Sequence, residues 1–379
     1  MQSHRDIGIY LHIPFCRQRC HFCAFYLEVA GTDRGTNRIE AFHLALAQEI
    51  ELHRRQDSIG SRPLQSVYFG GGTPTALPAT RLALLLQLVR TAWPIQASAE
   101  ITVEAHPSTV TPEDLKVLAD AGFSRISFGA ESMNEQDFAL IGRPGRVQDT
   151  ETAVEAARAA GFVNISLDLM YGLPGQSLES WTHTVQALLL LKPSHISCYA
   201  LTIEGGTKLS RNMALNLVPG IDEALQIAME SAAETLLGEA GFIRYEISSY
   251  AKPGFACRHN LLYWTDGDYL GLGPSAQSYV NGVRSGNVAD LTAYVDMLAE
   301  HRLPITERTD LSEFEQQQDA LIFGLRLLHG VPLNRALNSE QHNKIHTLIE
   351  QGLLEPTTDR IRLTPLGRRY ADTVAGELF

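Results

Sequence analysis

The chain has 379 residues, of which 44% are hydrophobic and 20% charged. That balance excludes a mainly disordered polypeptide, which would lack the apolar surface to offset its ordering entropy, and the scattered Gly and Pro exclude a fibrous repeat. Lys and Arg total 31 against 43 Asp and Glu, a formal net charge of −12, which disfavours non-specific binding to nucleic-acid phosphates.

At ~150 residues per domain the length predicts two or three units. The N-terminus, Met1-Gln2-Ser3-His4-Arg5-Asp6, carries no apolar leader. No apolar run approaches the ~18 residues of a bilayer-spanning helix; Leu82–Leu86 and Ala187–Leu191 are the longest clusters. The expectation is a cytoplasmic protein.

In chain order, the strand candidates are Ile7–Ile13, Ser66–Phe69, Ile101–Glu104, Arg125–Phe128, Val163–Leu169 and His195–Leu201. Each is a short apolar run rich in β-branched or aromatic residues, the pattern of a strand covered on both faces. Amphipathic helices are predicted between them at Ile39–Arg54, Ala79–Ala92, Asp114–Ala121, Val147–Ala160 and Leu178–Leu191. Thr111-Pro112-Glu113-Asp114 supplies an N-cap, a first-turn proline and acidic residues for the helix dipole. Ala121-Gly122-Phe123, Ala160-Gly161-Phe162 and Ala240-Gly241-Phe242 each close a helix, with glycine as the left-handed stop. Six such strands imply an α/β fold with a parallel, barrel-like sheet short of the full eight.

Beyond about residue 215 the pattern changes. Asp222–Ala240 reads as a helix and Tyr245–Tyr250 as a strand. Lys252–Tyr279 is aromatic and Gly-rich. The last ~80 residues read as helices with a hairpin, Gln351–Leu354 and Arg360–Thr364, a winged-helix-like tail. The expected units are therefore a barrel over 1–215, a linking region over 216–300 and a winged-helix-like domain over 301–379. The tail lacks a basic recognition helix, so no nucleic-acid partner is expected.

Five cysteines are present, and Cys16, Cys20 and Cys23 fall within eight positions; chance produces such a spacing with a probability of roughly 10⁻³. In a reducing compartment this is no disulfide framework. Three thiolates from one loop suit three irons of a [4Fe–4S] cluster and leave the fourth iron open. The alternatives are zinc, for which His21 would have to complete four ligands, and a plain thiol group. Gly70-Gly71-Gly72-Thr73-Pro74 follows the second strand, where backbone approaches a ligand closely. Cys198, inside the sixth strand, reads as an inert buried thiol.

The cysteine spacing together with Gly70–Pro74 resembles the radical S-adenosylmethionine (SAM) superfamily. That resemblance implies a partial (β/α)₆ barrel whose open iron binds the amino and carboxylate groups of SAM. Tyr10-Leu11-His12-Ile13-Pro14-Phe15-Cys16, Asp168-Leu169-Met170-Tyr171-Gly172-Leu173-Pro174-Gly175 and Tyr245-Glu246-Ile247-Ser248 resemble the oxygen-independent coproporphyrinogen III oxidase group. Cys257-Arg258-His259-Asn260-Leu261-Leu262-Tyr263-Trp264 is similar to the HNxxYW signature of its heme chaperone (HemW) branch. Oxidases of the group carry a further Cys where this chain has Phe25.

The resemblance implies SAM contacts at Tyr10, Phe22, Gly72, Thr73, Glu104, Glu131, Arg143, Asp168 and Ala200. It implies heme contacts at His259, Asn260, Tyr263 and Trp264, with His259 or Cys257 as iron ligand. The expected cofactors are the cluster, SAM and heme. The expected partners are a heme-accepting protein, which could be membrane-associated, and an electron donor. The chain departs from the family at four places: Glu131 replaces Gln, His106 replaces Asn, Gln277 replaces His, and Arg143 is followed by Pro144-Gly145 without the usual His. An oxidase decarboxylating coproporphyrinogen III, or a divergent radical SAM enzyme with another substrate, is the competing expectation.

Overall fold

The computed structural model describes residues 6–30, 33–332 and 338–379; residues 1–5, part of the N-terminal stretch read for a leader, lie outside these. No helix among the described residues is long and apolar enough to cross a membrane.

One sheet of 12 strands organises most of the chain. In chain order its first members are β1 (Ile7–Ile13) and, after the short paired strands β2 (Phe15–Cys16) and β3 (Glu28–Val29), β4 (Leu64–Gly71), β5 (Ile95–Ala105), β6 (Arg125–Glu131), β7 (Asn164–Tyr171) and β8 (His195–Ala200). These six longer strands are the predicted ones, and they pair in parallel. Ile9, Leu11, Val67, Phe69, Val103, Ile126, Phe128, Leu167 and Leu169 are buried along them, which is why the runs look continuously apolar.

The crossovers are α1 (Asp33–Arg55), α2 (Ala79–Ala92), α3 (Pro112–Ala121), α4 (Glu135–Ile141), α5 (Gln148–Ala160) and α6 (Leu178–Leu190); all but α4 bury side chains in the main core, and α4 places Ile141 in a smaller cluster with Met170 and Leu173. The Thr111 cap forms as predicted, with its side chain accepting from the Asp114 N–H. Gly122, Gly161 and Gly241 take positive φ of 95°, 108° and 78°, as a left-handed helix stop requires. Phe123, Phe162 and Phe242 then turn into the core.

After α7 (Lys208–Ala214) and α8 (Glu223–Glu239), the expected strand Tyr245–Tyr250 is two short strands, β9 (Ile243–Arg244) and β10 (Ser249–Ala251). They pair antiparallel around a turn whose Ile247 carbonyl accepts from the Arg244 guanidinium. The helix α9 (Arg258–Trp264) leads into β11 (Asp268–Leu272), a seventh parallel strand on the free side of β1. β12 (Gln277–Val280), β13 (Val283–Asn287) and β14 (Ile305–Asp310) extend that edge antiparallel, with α10 (Leu291–Ala299) packed on α1.

The C-terminal region has its own core, with Leu321, Leu325, Ile345, Leu348, Leu354 and Ile361 in one cluster. It contains α11 (Glu313–Gly324), β15 (Val331–Pro332), α12 (Ser339–Glu350), β16 (Leu354–Pro356), β17 (Arg360–Leu363), α13 (Pro365–Arg369) and α14 (Ala371–Leu378). The hairpin is a three-stranded sheet in the order β15-β17-β16. Its first arm begins at Leu354 rather than Gln351, because Gly352 turns the chain at φ 72°. Arg369 and Arg244 both bond Glu230, tying α13 to α8 and β9.

Leu11 lies fully buried at the centre of the sheet. Leu11→Ala should lower unfolding free energy by about 2–5 kcal/mol, the usual range for a buried leucine. Urea titration followed by far-UV circular dichroism checks this; a loss below ~1 kcal/mol would show a core that collapses around the deletion.

Candidate functional site

The site begins where β1 ends. β2 and β3 pair in parallel, Cys16 opposite Val29, and so close a loop carrying all three clustered cysteines. The Arg19 guanidinium donates to the carbonyls of Cys23 (3.2 Å) and Phe25 (3.0 Å). The His21 N–H donates to the Ile141 carbonyl at 2.7 Å. Cys16 is buried, while Cys20 and Cys23 are half-buried. Burial pushes the Cys16 thiol up to about 11, and the Cys20 thiol also up.

The glycine-rich segment docks onto this loop. The N–H of Gly72 donates to Ile13 O (2.9 Å) and that of Thr73 to Phe15 O (2.7 Å). Thr73 Oγ1 stands 3.4 Å from Cys16 Sγ. A Cβ on Gly72 would lie 2.8 Å from Phe15 O and 3.1 Å from Cys16 Sγ, so only glycine leaves this approach open.

A zinc site on this loop would need His21 as a fourth ligand beside the three thiolates. Both His21 nitrogens are engaged: Nδ1 lies 2.9 Å from Leu140 O and Nε2 2.9 Å from Lys208 Nζ. Three thiols on one loop with no fourth ligand fit a cluster with an open iron.

Above the loop opens a central cavity of about 720 Å³, within the range of small-molecule sites. Tyr10, Phe22, Gly72, Thr73, Glu104, Glu131, Arg143 and Asp168 all line it, together with Tyr263. Tyr10, Glu104, Glu131 and Asp168 come from four parallel strands, β1, β5, β6 and β7, and the others from the cysteine loop, the segments after β4 and α4, and α9, so the sheet curls around the cavity as a partial barrel. Ala200 is absent from the lining; its neighbour Tyr199 is there instead. A second cavity of about 160 Å³ contains the three cysteines and shares Phe22, Gly72, Thr73, His106, Glu131 and Arg143 with the first. Phe25, 69% exposed, lines both.

Each carboxylate of the cavity has local support. Glu104 accepts from Tyr68 O–H at 2.7 Å and Gly71 N–H at 3.2 Å. Asp168 accepts from Ser127 O–H at 3.0 Å. Glu131, at φ 61° where a β-carbon is strained, pairs with Arg143 at 3.4 Å. Burial pushes all three carboxyls up. Arg143 also donates to Gly129 O and reaches 3.9 Å from Cys20 Sγ. The arrangement can take a polar, zwitterionic ligand: carboxylates for hydroxyl or amino groups, a guanidinium for an anion. Cavity residues the sequence reading did not assign to a ligand are His12, His106, Ser127, Met170, Tyr199, Ser275 and Gln277. His12, Met170 and Tyr199 sit near the carboxyl ends of parallel strands and His106 follows one, a strand-end signal; His106 and Gln277 also stand out in the sequence as departures from the family pattern.

The α9 segment is packed into the wall of the barrel. His259 is 1% exposed, with Nδ1 2.8 Å from Ser66 Oγ and Nε2 2.9 Å from Tyr263 Oη. Its ring stacks on Tyr68 at 5.1 Å and on Tyr10 at 6.3 Å. Cys257 is fully buried, its thiol 3.4 Å from Glu100 Oε1. Neither expected iron ligand is among the residues lining the central, cysteine or outer aromatic cavity; both are held in the barrel wall by these contacts. Asn260 is half-buried on the same helix. Tyr263 and Trp264 face a third, outer pocket of about 170 Å³ with Tyr269, Tyr279, Phe323 and Arg284. Arg326 sits 4.5 Å over the Trp264 ring.

Residues 10–188 match the radical SAM superfamily, and residues 311–370 match the HemN C-terminal domain. The chain is 34% identical over 377 residues to heme chaperone HemW of Mycobacterium tuberculosis, covering 99% of this chain and 95% of that protein. It is 33% identical over 381 residues to heme chaperone HemW of Bacillus subtilis, covering 97% of each. In structure it is similar to coproporphyrinogen III oxidase (HemN) from Escherichia coli, with a TM-score of 0.86 over 99% of this chain and 90% of that one, at 24% identity. The last likeness establishes the fold.

The Glu104 carboxyl is pushed up from 4.5 to about 7, chiefly by burial. Between those values the folded state holds a proton that the unfolded state has lost. Stability therefore falls as pH rises through this window. Glu49, buried against Tyr294 and likewise pushed up to about 7, adds to the same slope. Glu104→Gln should remove one proton's share of it, flattening urea midpoints between about pH 4.5 and 7. An unchanged slope would show that Glu104 titrates normally.

Proposed function

The chain belongs to the HemW family of radical SAM proteins, and on that premise we propose that it is a heme chaperone that binds one [4Fe–4S] cluster, SAM and heme and passes heme to an acceptor protein. Family membership implies the cluster and SAM. The observation that carries the heme reading is the position of Tyr263, which lines both the central cavity and the outer aromatic pocket. A ligand in one cavity thus shares a wall with a ligand in the other.

In this reading Cys16, Cys20 and Cys23 hold the cluster. Tyr10, Phe22, Gly72, Thr73, Glu104, Glu131, Arg143 and Asp168 surround SAM, and Ala200 contributes through the strand that carries Tyr199. When bound, the cluster supplies an open iron and an electron for the sulfonium. The protein's share is to orient the cofactor. Glu104 and Asp168 accept from hydroxyl or amino groups, Gly72 lets backbone approach, and buried walls exclude water. An electron donor serves the cluster.

Heme is the cargo. Tyr263 and Trp264 offer flat surfaces, and Arg284, which lines the same pocket and pairs with Asp319 at 2.6 Å, is the guanidinium a propionate would have to draw from that partner. Iron ligation through His259 or Cys257 would require α9 to leave Ser66 and Glu100. Phe25, where the oxidases carry a further Cys, supports the chaperone reading over decarboxylation of coproporphyrinogen III.

Anaerobic reconstitution should load about four irons per chain. Cys20→Ala should abolish the chromophore, while Cys198→Ala should retain it. Reconstituted protein should bind hemin with a Soret shift, and Trp264→Ala should weaken that binding about tenfold, roughly 1.4 kcal/mol, without loss of iron. His259→Ala should lower the melting temperature yet keep the hemin ligation bands. Conversion of coproporphyrinogen to protoporphyrinogen without hemin binding would replace this reading with the oxidase one.

A further inference from the structure

Two buried donors stand without acceptors where the cysteine cavity meets the central one. His106 opens the short helical turn Pro107–Thr109, and its Nδ1 accepts from the Ser108 N–H at 3.1 Å. An acceptor at Nδ1 leaves the ring proton on Nε2. Burial, reinforced by Arg143 and Arg17, keeps the ring neutral at ordinary pH. Nε2–H finds no acceptor among the described residues, although the side chain is only 7% exposed. The Nε–H of Arg143 is in the same position. Both side chains line both cavities.

Buried donors without acceptors are rare, because each loses its water without replacement. Two at one junction point to a ligand rich in acceptors. The rest of the cavity presents the opposite chemistry: Glu104 and Asp168 are acceptors and suit the hydroxyls of a ribose or an amine. SAM carries one anionic group, its carboxylate, at the end that must lie toward the cluster loop. Glu131 stands at the same junction, paired with Arg143, and brings a negative charge that the family's usual Gln would not.

We propose that His106 is a SAM-binding residue of this chain, donating from Nε2–H to the cofactor carboxylate beside Arg143, a hydrogen bond that compensates for the repulsion between that carboxylate and Glu131. The inference rests on the cofactor reading above. It makes the exchanges of Asn for His106 and of Gln for Glu131 one coupled change. Asn at 106 keeps an acceptor for the Ser108 N–H but is too short to place a donor where Nε2 lies.

The test uses cluster-reconstituted protein and two probes, SAM and decarboxylated SAM, with dissociation constants from equilibrium dialysis. His106→Asn should weaken SAM binding about tenfold and change binding of decarboxylated SAM less than about twofold, at full iron content. His106→Gln, whose amide reaches further, should recover most of the loss. Adding Glu131→Gln to His106→Asn should also recover it. SAM affinity unchanged in His106→Asn overturns the proposal. So does an equal loss for both probes, which would mark His106 as a wall residue. Wild-type protein with an intact cluster that binds neither probe would instead overturn the cofactor reading itself.

Discussion

The close approach of Gly72 to Phe15 and Cys16 is the contact on which the site depends. Gly72 lends its N–H to the carbonyl of Ile13 at the end of β1 and Thr73 to that of Phe15 in the cysteine loop, and a single added methyl would meet Phe15 O at 2.8 Å. This docking ties the end of β4 to the loop after β1. It thereby sets the cysteines at the carboxyl edge of a parallel sheet, the edge where such folds bind ligands. The β1–β4 register delivers it: Ile13 stands opposite Gly71.

The second constraint acts behind the cavity. A Cβ at Gly8 would lie 2.5 Å from Ser66 Oγ and 2.6 Å from Leu262, so β1 admits α9 only because that position is bare. His259 then fills the gap, bonding Ser66 and stacking on Tyr68 and Tyr10. Glu100 accepts from the N–H groups of Arg258 and His259 at the start of the helix. The HNLLYW segment is thus architecture first: it stiffens the wall whose inner side carries Tyr10 and whose outer side carries Trp264.

Much of this was legible in the chain. The six strands were readable because both faces are covered, so their apolar runs stand out. The cysteine spacing and Gly70–Pro74 were readable because cluster and backbone-approach chemistry tolerate few alternatives. What stayed hidden was non-local. Asp268–Leu272 looked like part of a Gly-rich stretch, and only pairing with β1 makes it a strand. Tyr245–Tyr250 looked continuous, while the Arg244 bond to Ile247 O folds it back. His259 and Cys257 have the right chemistry for iron, but their partners Ser66 and Glu100 lie more than 150 positions away. No local pattern could reveal that both were already engaged.

The central claim is that a SAM cavity opens directly onto a three-cysteine cluster. Electron–nuclear double resonance on the reduced, reconstituted protein with SAM labelled at its amino nitrogen and carboxylate tests it most directly. The account predicts hyperfine coupling from the cluster to both labels and a shifted electron resonance spectrum. A spectrum unchanged by saturating SAM, with no coupling to either label, would contradict it.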